Sequence, residues 1–267
     1  MRLGFTKMHG LGNDYIYVDA RHISIPDPSS LAVRLSDRHF GIGSDGLVLI
    51  GRSKVADFSM RMFNADGSEA QMCGNAARCI ARFVHDGGLT DKTVVTLETL
   101  AGIKTLSLRL GSDGEVLDVT VDMGPFALIP GAPESVRAAG REWKGSGISV
   151  GNPHYVIFVD DAGAVDVAAA GSVIEKAPQF PEGTNVEFVS VQEPGVLRMR
   201  VWERGSGITL ACGTGACATA AAAYLQDIAT GPMTILMDGG PLSISIKDGH
   251  IFMTGPATTV FSGSIEI

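Results

Sequence analysis

Cys73-Gly74-Asn75-Ala76-Ala77 and Cys212-Gly213-Thr214-Gly215-Ala216 are two versions of one phrase, set 212 − 73 = 139 residues apart. The same offset carries Gly12-Asn13 onto Gly151-Asn152, Phe63-Asn64 onto Trp202-Glu203, and Gly46 onto Asn185. An offset held along a whole chain marks a repeated structural unit. The 267 residues therefore read as two halves, 1–121 and 122–267, that meet between Asp118 and Pro130. A repeat in which each half brings one cysteine to one site makes a symmetric pair of thiols.

Around these phrases the chain is mostly strand. Alternating, β-branched or aromatic runs stand at Tyr15 to Val18, Leu47 to Ile50, Phe58 to Phe63 and Thr93 to Glu98 in the first half. Tyr155 to Val159, Val186 to Val191, Leu197 to Trp202 and Leu242 to Ile246 are similar runs in the second. Helix signals are fewer and recur in equivalent places. An amphipathic segment follows Pro28, with Val165 to Glu175 as its counterpart, and Ala-rich segments span Ala76 to Val84 and Gly215 to Gln226. Small residues on every side suit a helix enclosed by sheet. The fold class is mixed α/β (α+β), with several strands wrapped round one central helix in each half. The halves are expected to pack around a cleft, because no low-complexity linker separates them.

Composition narrows the function. A net charge of −8 without a basic cluster argues against nucleic acid. The N-terminal MRLGFTKMHGLGNDY has no apolar run of signal-peptide type, and the most apolar stretch, Leu210 to Leu225, is interrupted by Gly and Thr. The expectation is a cytoplasmic protein without a membrane segment. Cys73-x5-Cys79 and Cys212-x4-Cys217 are neither zinc-ribbon nor thioredoxin spacings, and no histidine pair at ligand spacing lies near them. No metal is expected, and the thiols read as reduced and either catalytic or buried.

If each Ala-rich helix starts just after its cysteine, both thiols sit at helix N-termini. Unpaired N–H groups and the positive dipole end favour an anion there. A thiolate is stabilised, with its pKa drawn down from about 8.5 toward neutrality. The same N–H groups, at Gly74-Asn75 and Gly213-Thr214, suit a substrate carboxylate. A sulfur on each side of an α-carbon is the arrangement for racemisation, in which one thiolate removes the proton and the opposite thiol returns one. No lysine is marked as a pyridoxal phosphate anchor, so the reaction is expected to use no cofactor. His154 and Glu203 are the natural groups to deprotonate or orient the thiols. Asn13 and Asn152 hold equivalent repeat positions, Asn64 and Asn185 lie in short polar phrases, and Arg204 suits a second carboxylate.

MHGLGNDY, FNADGSEAQMCGNAARC, GNPH, EGTN and ERGSGITLACGTGAC resemble, in order and along essentially the whole chain, the diaminopimelate epimerase family. The resemblance implies a pyridoxal-independent epimerase of lysine and peptidoglycan precursor synthesis that interconverts LL- and meso-diaminopimelate. It implies Cys73 and Cys212 as the acid–base pair, assisted by His154 and Glu203. Substrate contacts would come from Asn13, Asn64, Gly74, Asn75, Asn152, Asn185, Glu203, Arg204, Gly213 and Thr214. The implied fold is two pseudo-symmetric halves, each a barrel-like, mostly antiparallel sheet round a helix, with the last strand, about 257–267, returning to the first half. A homodimer is also implied. Two positions depart from the family's pattern: Gly46 stands where many members have glutamine, and Ile208 where many have glutamate.

Each feature also has a plainer reading. A free cysteine is commonly an inert core residue, and Cys79 and Cys217, inside the helices, read that way. Asn13 and Asn152 also suit turns, and Glu203-Arg204 suits a surface ion pair. The rival functions are a racemase of another amino acid, such as histidine or proline, and a non-catalytic thiol switch or binding protein.

Overall fold

The computed structural model describes residues 1–267 and divides into two compact units, Met1–Asp122 with Thr254–Ile267, and Met123–Met253. In the first unit β1 (Arg2–Gly10) and β2 (Asn13–Asp19) form a hairpin whose two loop residues, Leu11 and Gly12, have φ of 58° and 85°. Such a turn matches the twist of its strands and delivers Asn13 directly at its exit. α1 (Pro28–Ser36) follows, started by Pro28 in its first turn and by Asp27, whose carboxylate accepts from Ser30 N at 3.0 Å. β3 (Gly46–Gly51) lies parallel to β2, and β4 (Phe58–Asn64) antiparallel to β3. After β5 (Glu69–Ala70) comes α2 (Gly74–Asp86). β6 (Val94–Thr99) then lies parallel to β4, and β7 (Gly102–Leu110) and β8 (Val116–Pro125) continue antiparallel.

The second unit holds β9 (Ala127–Leu128), the small ribbon β10 (Ser135–Ala138) and β11 (Arg141–Lys144), and the hairpin β12 (Ser146–Ser149) and β13 (Pro153–Phe158). α3 (Val167–Glu175) is capped by Asp166, which accepts from Ala169 N at 3.0 Å. β14 (Asn185–Glu193) is parallel to β13, β15 (Val196–Glu203) antiparallel to β14, and β16 (Gly207–Ile208) antiparallel to β15. α4 (Gly213–Leu225) precedes β17 (Met233–Met237), which is parallel to β15, then β18 (Gly240–Lys247) and β19 (His250–Gly255). The closing β20 (Thr258–Glu266) pairs antiparallel with β1 in the first unit.

The repeat seen in the sequence is a repeat of register. Tyr15 pairs with Gly46 as His154 pairs with Asn185, and Leu47 with Phe63 as Val186 with Trp202. Phe63 pairs with Glu69 as Trp202 pairs with Ile208. Beyond the central helices the register slips by one: Phe58 opposes Leu97, while Leu197 opposes Ile235. The cores repeat too. Ile16, Val18, Leu31, Leu35, Leu47, Leu49 and Phe63 cluster in the first unit, and their counterparts Tyr155, Ile157, Ala170, Ile174, Val186, Phe188 and Trp202 do so in the second. Side chains of different size fill equivalent positions, as cores allow when total volume is kept.

Both Ala-rich helices start two residues earlier than the composition suggested, at the glycine directly after each cysteine. α4 is buried from Gly215 to Ala223, as its small residues predict, leaves only Tyr224 and Leu225 exposed at its end, and packs against β12 to β15, β17 and β18. α2 differs: it buries Ala77, Ile80, Ala81 and Val84 but leaves Asp86 exposed and Arg82 and Phe83 partly so. Charged and aromatic residues in its last two turns require that opening. No helix is long and apolar enough to cross a membrane.

Candidate active site

In the first unit Cys73 occupies the N-cap position of α2 with extended backbone angles (φ −138°, ψ 122°). Its thiol donates to Asn13 Oδ1 at 3.6 Å, and Asn75 Nδ2 donates to the same oxygen at 3.2 Å. Asn13 is itself held, since its Nδ2 donates to Asp45 Oδ2 at 2.9 Å, an oxygen that also accepts from Asp14 N at 3.0 Å. Arg38 bridges Asp14 and Asp45 at 2.9 and 3.0 Å, and Lys7 pairs with Asp14 at 2.7 Å. Burial would raise the Asp14 carboxyl, but its bonds to Arg38 and Lys7 outweigh that and hold it low. Asp45 moves the opposite way, raised by burial and by the Asp14 charge. On α2 the fully buried Arg78 donates to Asn75 Oδ1 at 2.9 Å, which fixes the orientation of that amide. Asn64, at the end of β4, donates to Ser68 Oγ at 3.0 Å.

The second unit repeats this plan with different chemistry. Cys212 is the N-cap of α4, and its sulfur accepts from Gly215 N at 3.3 Å and lies 3.5 Å from Thr214 Oγ1. Asn152 Nδ2 donates to Thr214 Oγ1 at 3.4 Å, the counterpart of the Asn75–Asn13 bond. Both bonds span 62 residues. Glu203 accepts from the Thr209 hydroxyl and lies beside the Cys212 thiol. His154 is fully buried, with Nδ1 donating to Glu187 Oε1 at 2.6 Å and Nε2 lying 3.0 Å from Asn152 Oδ1. Asn185 donates to Pro153 O at 2.8 Å and accepts from Arg204 N at 3.0 Å. The Arg204 guanidinium bonds Glu182 O at 3.1 Å and is exposed, while the buried Glu175 holds the turn beside it through Gly205 N at 2.9 Å.

Electrostatics correct one expectation. The position at a helix N-terminus predicts a Cys212 thiol with a lowered pKa, yet it lies well above the ordinary value. Burial is the main cause, followed by the Glu203 and Glu187 carboxylates. The bonds from Thr214 and Gly215 oppose them and are outweighed. Glu203 is raised as well, again by burial first, against its bonds to Thr209 and Cys212. This thiol is therefore protonated at neutral pH, with the Glu203 carboxyl beside it. Cys79 is pushed by burial to about 11, as suits a core residue.

Within the first unit the structure thus joins Cys73, Asn13 and Asn75, and within the second Cys212, Thr214, Asn152, His154 and Glu203. Asn185 and Arg204 form their own bonded turn at the head of β14. The sequence reading omitted Asp45, Glu187, Glu175 and Thr209. Glu187 had a signal, because it is a lone acid inside Val186 to Val189, and an acid in an apolar strand needs a partner. Asp45 directly precedes Gly46, which drew notice only for its departure from the family's pattern.

Two matching α/β units, each with strands round a central helix, form a fold shared with solved proteins of distant sequence. A phenazine biosynthesis protein of the PhzF family from Bacillus anthracis superposes with a TM-score of 0.80 at 16% identity, covering 100% of both chains. A hydroxyproline epimerase from Agrobacterium vitis gives 0.72 at 16% identity over 99% of this chain and 91% of that one. Sequence identifies the group more narrowly. The diaminopimelate epimerase family model matches residues 5–129 and 147–260, and the chain belongs to that family. Diaminopimelate epimerases from Phocaeicola vulgatus and Parabacteroides distasonis are 58% and 56% identical, each over 98% of both chains. One from Methanococcus maripaludis is 49% identical over 98% of this chain and 99% of its own.

Proposed function

We propose that this protein interconverts LL- and meso-2,6-diaminopimelate without pyridoxal phosphate, with Cys73 and Cys212 as its acid–base pair. The observation that carries the reading is the matched placement of the two thiols, each an N-cap beside an Asn-bonded first turn, in a chain of this family. One sulfur, as thiolate, takes the α-proton and becomes a thiol. The other, as thiol, gives its proton to the opposite face of the carbanion and becomes a thiolate, so one turnover exchanges their roles. The N–H groups of Gly74-Asn75 and Gly213-Thr214, open in the first turns of their helices, suit the carboxylate on which charge develops.

Glu203, in contact with Cys212 and raised by burial, is the group that takes the Cys212 proton when that sulfur must act as base. His154 acts through Asn152, which it holds against Thr214. Asn13 plays the corresponding part at Cys73. Asn64, Asn185 and Arg204 are assigned to the distal amino-acid end of the substrate, where the Arg204 guanidinium suits a carboxylate. The reading carries with it a cytoplasmic, homodimeric enzyme.

The test is incubation of reduced protein with LL-diaminopimelate in D2O, followed by NMR. Loss of the α-proton signal with appearance of the meso isomer is expected. Absence of exchange from folded, reduced protein would overturn the reading.

A further inference from the structure

The two units match in fold but not in charge. At the positions where the second unit has His154 and Glu187, the repeat places Tyr15 and Val48 in the first. Glu187 has 0% of its surface exposed and stands between Val186 and the Phe188-Val189 pair, all buried. One of its oxygens accepts from His154 Nδ1 at 2.6 Å, and the other has no hydrogen-bond partner. The first oxygen also lies against the opening turn of α4: a Cβ built on Gly215 would come within 2.8 Å of it. A fully buried carboxylate is costly unless something offsets it, and packing alone is met by valine at the matching position of the other unit. The positive end of α4 and the imidazole are what offset it here.

We propose that Glu187 is the positioning residue of the Cys212 half: it holds the Nδ1 proton of His154, so that the ring orders Asn152 and Thr214, and it sets a fixed negative charge against the first turn of α4. The chain of bonds runs from Glu187 Oε1 to His154 Nδ1, from His154 Nε2, which donates, to Asn152 Oδ1, and from Asn152 Nδ2 to Thr214 Oγ1, 3.5 Å from Cys212 Sγ. Its effect falls on the Cys212 thiol. Cys212 is faced from β15 by Glu203, from β14 by Glu187 and from α4 by Thr214 and the Gly215 N–H, with His154 on β13 beyond Glu187. Two carboxylates therefore favour the protonated form of Cys212. At the matching position of the first unit the Cys73 sulfur bonds Asn13, and its neighbour Asn75 is tied to Arg78. Cys212 thereby rests as a proton donor. This assignment of resting state rests on the epimerase reading, whereas the role of Glu187 toward His154 and Cys212 does not.

The experiment compares wild type with Glu187→Gln, which keeps volume and removes charge, and Glu187→Asp, which keeps charge. Carbamidomethylation by iodoacetamide as a function of pH, read at Cys212 by peptide mass spectrometry, gives the thiol midpoint. In Glu187→Gln it is expected to move down by about one pH unit, the scale of one removed nearby charge, and Glu187→Asp is expected to restore most of it. Long-range proton–nitrogen NMR on histidine-labelled protein should show His154 protonated at Nδ1 in wild type and this proton exchanging freely in Glu187→Gln. An unmoved Cys212 midpoint in Glu187→Gln would overturn the proposal. So would a wild-type His154 lacking the Nδ1 proton, a result that stands even if the variant fails to fold. Turnover of diaminopimelate is measured separately. In Glu187→Gln kcat should fall roughly 10-fold or more with KM little changed. Wild-type inactivity beside a shifted Cys212 midpoint would sink the epimerase reading and leave the role of Glu187 standing.

Discussion

Replacing Gly215 with alanine sets two effects of similar size against each other. Alanine is favoured over glycine in a helix by about 1 kcal/mol, because it loses less backbone freedom on folding. Against this, the new Cβ would lie 2.8 Å from Glu187 Oε1 and 3.3 Å from both Cβ and Sγ of Cys212. The carboxylate is the end of a flexible side chain, but here it has nowhere to go, being fully buried and tied to His154 at 2.6 Å. Overpacking of this kind costs roughly 1–3 kcal/mol. The net expectation is a loss of about 1 kcal/mol, or a fall of roughly 2–4 °C in Tm for a chain of this size. Activity should suffer more. A shift of some tenths of an ångström in Cys212 or the His154–Glu187 pair disturbs the reacting geometry, and a misplacement of about 1 Å can cost on the order of 100-fold. Thermal unfolding and α-proton exchange on the same preparation give both numbers. Gly4→Ala is the control, since nothing lies within 4 Å of its added carbon, and it should keep full activity. A Gly215→Ala protein that melts higher than wild type and exchanges at the wild-type rate would refute the argument.

Other expectations follow from the same geometry. Cys73→Ala and Cys212→Ala should each abolish inversion while melting within a few degrees of wild type, since each change removes a single sulfur atom; inversion kinetics and calorimetry check both. Glu203 has a raised pKa, so its contribution to stability is present below its unfolded pKa and lost as pH rises through the folded one. Glu203→Gln should therefore raise Tm relative to wild type at pH 8, and by less at pH 4. Asp14 has a lowered pKa, and its contribution is present above the unfolded value and lost as pH falls through the folded one. Asp14→Asn, which leaves the buried Lys7 without its carboxylate, should cost roughly 3 kcal/mol in urea unfolding at pH 7, with the gap narrowing in acid.

The repeat and its consequences were legible in the sequence because they are local patterns copied at a fixed distance. The offset that joins the two Cys-Gly phrases also sets the pairing of Tyr15 with Gly46 and of His154 with Asn185. The register agrees because strand pairing follows side-chain alternation. Helix starts were legible to within two residues, and the N-cap position of both cysteines followed from small residues coming directly after them.

The proton affinities and the bonding partners were decided only by the tertiary structure. Cys212 and Cys73 open nearly the same phrase, yet Cys212 is buried against Glu203 from one strand and Glu187 from another, which reverses the shift that its helix terminus alone implies. Desolvation and charge proximity depend on every chain segment that closes over a group, and these segments are far apart in sequence. Glu187 shows the same limit from the other side. An acid in an apolar strand calls for a partner without naming it, and the partner is fixed when β13 and β14 lie parallel and bring His154 within 2.6 Å.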